Sequence, residues 1–135
     1  MVEFRRRTRT PHSQDAVVVL RARRGVCVGY ANLFAEMCAF VNVECRVIGG
    51  DCITSDGGGP HAWNVLRLGG GAWYLCDPTW AAGHRSGAGD FVSCLDLQWW
   101  CTKPEVFIRT HLPDAVKWQL LEKPISKADF DKFRK

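Results

Sequence analysis

Three residues that together could open an amide bond occur in order along the chain: Cys27, His61 and Asp77. Acyl transfer by a cysteine needs a thiolate, an imidazole to move its proton, and a group that fixes the imidazole tautomer. After Cys27, residues Tyr30, Leu33, Phe34, Met37, Cys38 and Val41 recur at helical spacing, with Asn32 and Glu36 on the other face. The run to Phe40 therefore reads as an amphipathic helix with Cys27 at its N-terminus. Unpaired backbone N–H groups and the positive end of the helix dipole favour a thiolate there.

The imidazole and the carboxylate fall on what reads as a hairpin. Residues 61–68 and 72–77 are strand-like runs separated by Gly69-Gly70-Gly71, and a three-residue loop sets Leu68 opposite Ala72. In that register His61 lies opposite Thr79, one diagonal step from Asp77, and both point to the same face. Pro78 ends the second run because it has no N–H for a ladder. Each residue also has a duller explanation. A cysteine at a helix start can be packing, His61 a hydrogen-bonded strand residue, and Asp77 before Pro78 a turn initiator. Among rival thiols, Cys52, read as part of a polar loop, is the strongest. Cys38 and Cys45 fall on apolar faces, and Cys76 is out of phase with Asp77.

The remaining elements must position these groups. Ser13 or Asp15 caps a short helix over residues 15–23 whose Ala16, Val19 and Leu20 share a face, and Gly25 breaks the chain before the Cys27 helix. Residues 43–48 alternate as a strand. The stretch 51–60, with Gly57-Gly58-Gly59, reads as a flexible loop that gives the His61 strand freedom of approach, and it lacks the residues of a phosphate cradle. Residues 81–90 read as a mobile surface loop and 91–100 as a further strand. Ser126 starts a short terminal helix. Trp63 and Trp80 could line a substrate channel, although indoles in a strand pair more often make core.

Composition bounds the rest. At 135 residues and 47% hydrophobic content, with six Trp and seven Phe, the chain is one domain able to bury a core. Seven Arg in the first 24 residues face only Glu3 and Asp15, whereas the remainder carries eleven basic against twelve acidic residues. Residues 1–14 thus read as a basic flexible arm, and 15–135 as the folded domain. No nucleic-acid reader motif accompanies Arg5-Arg6-Arg7 and Arg9, so nucleic acid is not the expected partner. The seven cysteines show no zinc-ligand spacing, and no metal or cofactor is expected. Their number and apolar placement fit a reducing, cytoplasmic setting. No apolar run is long enough to span a bilayer.

The order Gly25-Val26-Cys27-Val28-Gly29-Tyr30-Ala31-Asn32-Leu33-Phe34, then His61-Ala62-Trp63-Asn64, then Asp77-Pro78-Thr79-Trp80 resembles the transglutaminase-like superfamily. His111-Leu112-Pro113, Trp118-Gln119-Leu120-Leu121 and Pro124-Ile125-Ser126 are similar to its kyphoscoliosis peptidase branch. The resemblance implies an α+β, papain-like fold with the nucleophile helix packed on an antiparallel sheet. It also implies Cys27 as nucleophile, His61 as general base and acid, and Asp77 as the orienting carboxylate. The activity implied is peptide hydrolysis or glutamine acyl transfer on a protein substrate. A catalytically inactive scaffold for cytoskeletal partners is the other outcome the branch allows. Family members usually carry further helices before the nucleophile, which often supply an oxyanion donor. Here only about 26 residues precede Cys27, with Gln14 and Arg21 the upstream positions where such a donor would be sought, so the domain is expected to be N-terminally shortened and one oxyanion donor to be missing.

Overall fold

A computed structural model describes residues 13–134. The basic arm expected over 1–14 lies, up to residue 12, outside the described residues. Helix α1 (Ala16–Ala22) is capped by Asp15, whose Oδ1 accepts from the Val17 N–H at 3.0 Å, while Ser13 Oγ accepts from the Asp15 N–H. Ala16 and Val19 face inward, but Leu20 is exposed.

Helix α2 (Cys27–Phe40) begins at the cysteine. Its inward side differs from the apolar stripe of the sequence: Gly29, Ala31 and Cys38 are buried, whereas Met37 and Val41 are open to solvent. The helix is squeezed between α1 and the sheet, and small residues permit that approach. A Cβ on Gly29 would lie 2.4 Å from Gln14 Oε1 and 2.9 Å from Val19 Cγ2, so a larger residue would push α1 away. Hydropathy marks large side chains and misses such contacts.

Strand β1 (Glu44–Cys52) runs through Gly49-Gly50 to Cys52, four residues beyond the expected end. Cys52 is therefore a buried strand residue, not one in a polar loop. Strand β2 (Gly59–Arg67) pairs with it antiparallel, from Glu44↔Arg67 to Cys52↔Gly59. The connection at 53–58 is pinned: Ile53 N–H donates to Thr110 O at 2.9 Å, and Arg134 donates to Gly57 O at 2.5 Å and Asp51 at 2.6 Å.

Strand β3 (Trp73–Cys76) pairs with β2 in the register that the glycine loop implied, Arg67↔Trp73 to Asn64↔Cys76. The ladder stops there, because the chain turns into helix α3 (Pro78–Ala82) with Asp77 as its cap. The segment read as a mobile loop instead forms a small hairpin, β4 (Gly83–Arg85) with β5 (Phe91–Ser93). Its pairing is made by backbone groups, which Gly, Ala and Ser side chains do not advertise. The further strand expected over 91–100 is reduced to β5, a 3-10 turn at Leu97–Trp99 capped by Asp96, and the start of β6 (Trp100–Thr102).

Helix α4 (Pro104–Phe107), strand β7 (His111–Pro113) and helix α5 (Lys127–Asp131) complete the order, with Ser126 capping α5 as expected. The five-stranded sheet runs β6-β3-β2-β1-β7, antiparallel throughout. One face carries α2, tied by Asn64 Nδ2 donating to Ala31 O at 3.0 Å. The other face holds the core of Ile48, Trp63, Val65, Leu75 and Phe107, with Trp73, Trp99, Trp118 and Leu120 around it. Each such side chain contributes about 1.5–3 kcal/mol by leaving water. This is the expected α+β arrangement of a nucleophile helix on an antiparallel sheet. Among the described residues, no helix is long and apolar enough to cross a membrane.

Candidate active site

The start of α2 meets the rim of the sheet where β3 leaves it. Val26, the residue before α2, has no side-chain cap of its own. Gln14 takes that place: its Oε1 accepts from the Val26 N–H at 2.9 Å, and its carbonyl accepts from Asn32 Nδ2 at 2.8 Å. The Gln14 oxygen thus holds the helix entry, and Arg21 points outward on α1.

Cys27, half-buried at the start of α2, faces the His61 ring closely enough for the imidazole to act on its thiol. The backbone amides of Ala62 and Val28 lie on the same side and act on the thiol in the same direction. Ala62 lies beyond the last β2–β3 rung at Asn64↔Cys76, which leaves its amide without a β3 partner. His61 Nε2 is 2.6 Å from Asp77 Oδ2, so Nδ1 is the ring atom left for Cys27. Asp77, fully buried, also accepts the Trp80 N–H on Oδ1 at 3.0 Å. The structure thus joins His61 to Asp77 by a hydrogen bond and sets Cys27 on the side of the ring away from the carboxylate. The His61–Asp77 contact does not arise as a diagonal of a continuing ladder. It arises because Asp77 caps α3 at the point where the strand ends.

A second histidine joins them. His111, brought in by β7 on the far edge of β1, is fully buried, and its Nε2 lies 2.8 Å from the same Asp77 Oδ2. Sequence spacing gave no sign of it, since 34 residues separate it from Asp77. His61, Asp77 and His111 offer ligand atoms within 4.8 Å of one another, a grouping absent from the sequence pattern. These ligand types would suit a cation, but the hydrogen-bond geometry does not. One carboxylate oxygen already takes two imidazole nitrogens at hydrogen-bond distance, and a cation there would have to displace both protons.

Electrostatics follow from these contacts. Burial works to raise the Cys27 thiol, but the hydrogen bond and charge of His61, with the Ala62 and Val28 amides, bring it below the ordinary thiol value. Burial works to lower His61, yet its bonds to Asp77 and Cys27 raise it to about 9. For Asp77 burial is again outweighed, here by His111 and His61, and the carboxyl is held below its usual range. At His111 burial wins and lowers the imidazole, which is therefore neutral. These contacts favour the charged forms together, thiolate with imidazolium, and the carboxylate behind them is ionised. Cys52, the rival thiol, is pushed up to about 11 by burial.

Of the two candidate channel residues, Trp63 is fully buried and packs edge-on against Phe107 and His111. It belongs to the core, where no substrate reaches it. Trp80 is half-buried and lies over the site, its ring centre 5.3 Å from His61, 4.4 Å from His111 and 4.8 Å from Trp99.

A helix bearing a cysteine at its N-terminus, packed on an antiparallel sheet that carries a histidine, with an aspartate where the next strand ends, defines an α+β fold of the papain-like kind. The chain belongs to the transglutaminase-like superfamily, whose family model matches residues 1–78, a span that includes Cys27, His61 and Asp77. Its likeness within that superfamily is to the kyphoscoliosis peptidases of human and mouse, each 34% identical over 125 residues that cover 84% of this chain and 18% of that protein. Hillarin of Drosophila melanogaster is 28% identical over 131 residues, covering 80% of this chain and 16% of that protein. The chain thus spans under a fifth of the length of these relatives.

Proposed function

We propose that this chain is a thiol acyl-transfer domain acting on protein amides, with Cys27 as nucleophile, His61 as proton carrier and Asp77 as orienting carboxylate. The Cys27 thiolate attacks the carbonyl carbon, a C–S bond forms, and the C–N bond breaks as His61 gives its Nδ1 proton to the leaving amine. Water or a second amine, deprotonated by the now neutral His61, then attacks the thioester and releases Cys27. Water gives hydrolysis; an amine gives cross-linking. Hydrolysis is favoured because the relatives in human and mouse are named peptidases.

What supports this reading is the His61–Asp77 hydrogen bond at 2.6 Å beside the start of α2, with the Cys27 thiol lowered by His61 and the imidazole raised to about 9. The Ala62 amide beside the sulfur is an additional donor for charge at the reacting centre, and Trp80 forms one wall of the acyl site. Seven free cysteines fit a reducing, cytoplasmic setting. The test is incubation with a glutamine-containing protein and a fluorescent amine, followed by intact mass. Cleavage products or amine incorporation that vanish with Cys27→Ala support the enzyme. No change in any mass, together with capture of a cytoskeletal partner equally by parent and Cys27→Ala, supports a scaffold instead.

A further inference from the structure

We propose that His111 is a positioning residue of this site. Its Nε2–H donates to Asp77 Oδ2 and fixes the carboxylate that orients His61, a role that rests on the acyl-transfer reading above. An ionised carboxylate can only accept, so both imidazoles on Oδ2, at 2.6 and 2.8 Å, must present N–H. With a single ring proton on Nε2, the Nδ1 of His111 is left as acceptor, and Thr110 Oγ1 lies 2.8 Å from it. That hydroxyl is only 3.3 Å from Phe107 O, so its shorter contact is to the imidazole.

Packing locks the ring in this role. It stacks on Phe107 at 3.9 Å and 20°, meets Trp63 edge-on, and lies under Trp80 and Trp99. Strand β7 holds the backbone through the rungs Gly50↔Pro113, Asp51↔Leu112 and Cys52↔His111. At the Gly50 rung, a Cβ would come within 2.2 Å of Leu112 O and 2.6 Å of Trp63 Cη2, so β7 docks where only glycine lets it.

Without His111, Asp77 would keep the His61 bond and the Trp80 amide but lose its third donor while wholly buried. A buried carboxylate with fewer donors is less firmly ionised and freer to rotate. The thiolate–imidazolium pair in front of it then weakens. The titratable groups facing Asp77 are His61 from β2, His111 from β7, Cys52 from β1 and Cys76 from β3, with Cys27 of α2 reached through His61.

The experiment follows the rate of Cys27 alkylation by iodoacetamide from pH 4 to 9, read by peptide mass, in the parent, His111→Leu and His111→Gln. Leu removes the donor; Gln keeps an N–H near the Nε2 position. The expected result is a Cys27 midpoint raised by about one pH unit in His111→Leu and restored towards the parent in His111→Gln. Should the Leu variant fail to fold, His111→Asn, whose amide is too short to reach Asp77, is expected to show the same rise. An unshifted midpoint in a folded Leu or Asn variant overturns the proposal, since packing alone would change stability but not this titration. A parent midpoint at the ordinary cysteine value overturns the acyl-transfer reading itself, and this role with it, so the two failures are told apart.

Discussion

Two sets of thiols sit on the same helix and sheet and meet opposite environments. At the N-terminus of α2, Cys27 faces an imidazole and two backbone amides, and its thiol lies below the ordinary value. Near the other end of α2, Cys38 has Cys45 of β1 as a neighbour. Burial raises both, Cys45 to about 12, and raises Cys76 of β3 as well. The difference is not depth. The desolvation of Cys27 also opposes ionisation, but it is outweighed by an imidazole and two backbone amides, whereas the single Asn64 amide at Cys45, 3.5 Å away, does not offset burial there. The lowered thiol and the packing thiols are thus distinguished by what faces the sulfur.

The change expected to matter most removes the front of that arrangement. Cys27→Ala eliminates any thioester adduct detectable by intact mass. His61→Ala, which takes away the partner that sets Cys27 apart from Cys38, lowers acyl transfer by about 10²–10⁴-fold in a single-turnover assay. Asp77→Ala strips two imidazoles of their acceptor and α3 of its cap. It is expected to cost about 3–5 kcal/mol in urea unfolding, because the donors left behind are buried.

A pH profile sharpens the comparison further. His61 is raised to about 9, so its proton is present at neutral pH and is lost as pH rises through about 9. Acyl transfer should fall on that alkaline limb for want of a proton for the leaving amine. On the acid side it should fall as the lowered Cys27 thiolate takes up a proton. The smallest effect belongs to the packing thiols: Cys45→Ala should cost about 1 kcal/mol in thermal or urea unfolding and leave the rate of Cys27 alkylation unchanged.

Much of this arrangement was readable from residue order. The start of α2 at Cys27, the Asp15 and Ser126 caps and the β2–β3 register are local features, set by short-range hydrogen bonds and loop length. The inward side of α2 was not readable, because Gly29 and Ala31 face inward for their small size, which hydropathy does not register. The β4–β5 hairpin was missed for a related reason, as its residues pair through backbone alone. His111 was invisible at the site because a three-residue edge strand brings it there across the whole width of β1. Trp63 was open to two readings until its complete burial assigned it to the core.

The most direct test compares Cys27 with Cys94, which is exposed and readily reached by reagent. The folded protein is treated with iodoacetamide at pH 6, and the two sites are followed by peptide mass. Cys27, although half-buried, should be modified at least about tenfold faster, and the advantage should disappear in urea. Modification of Cys27 no faster than Cys94 in the folded protein would contradict a thiolate held by His61 and Asp77.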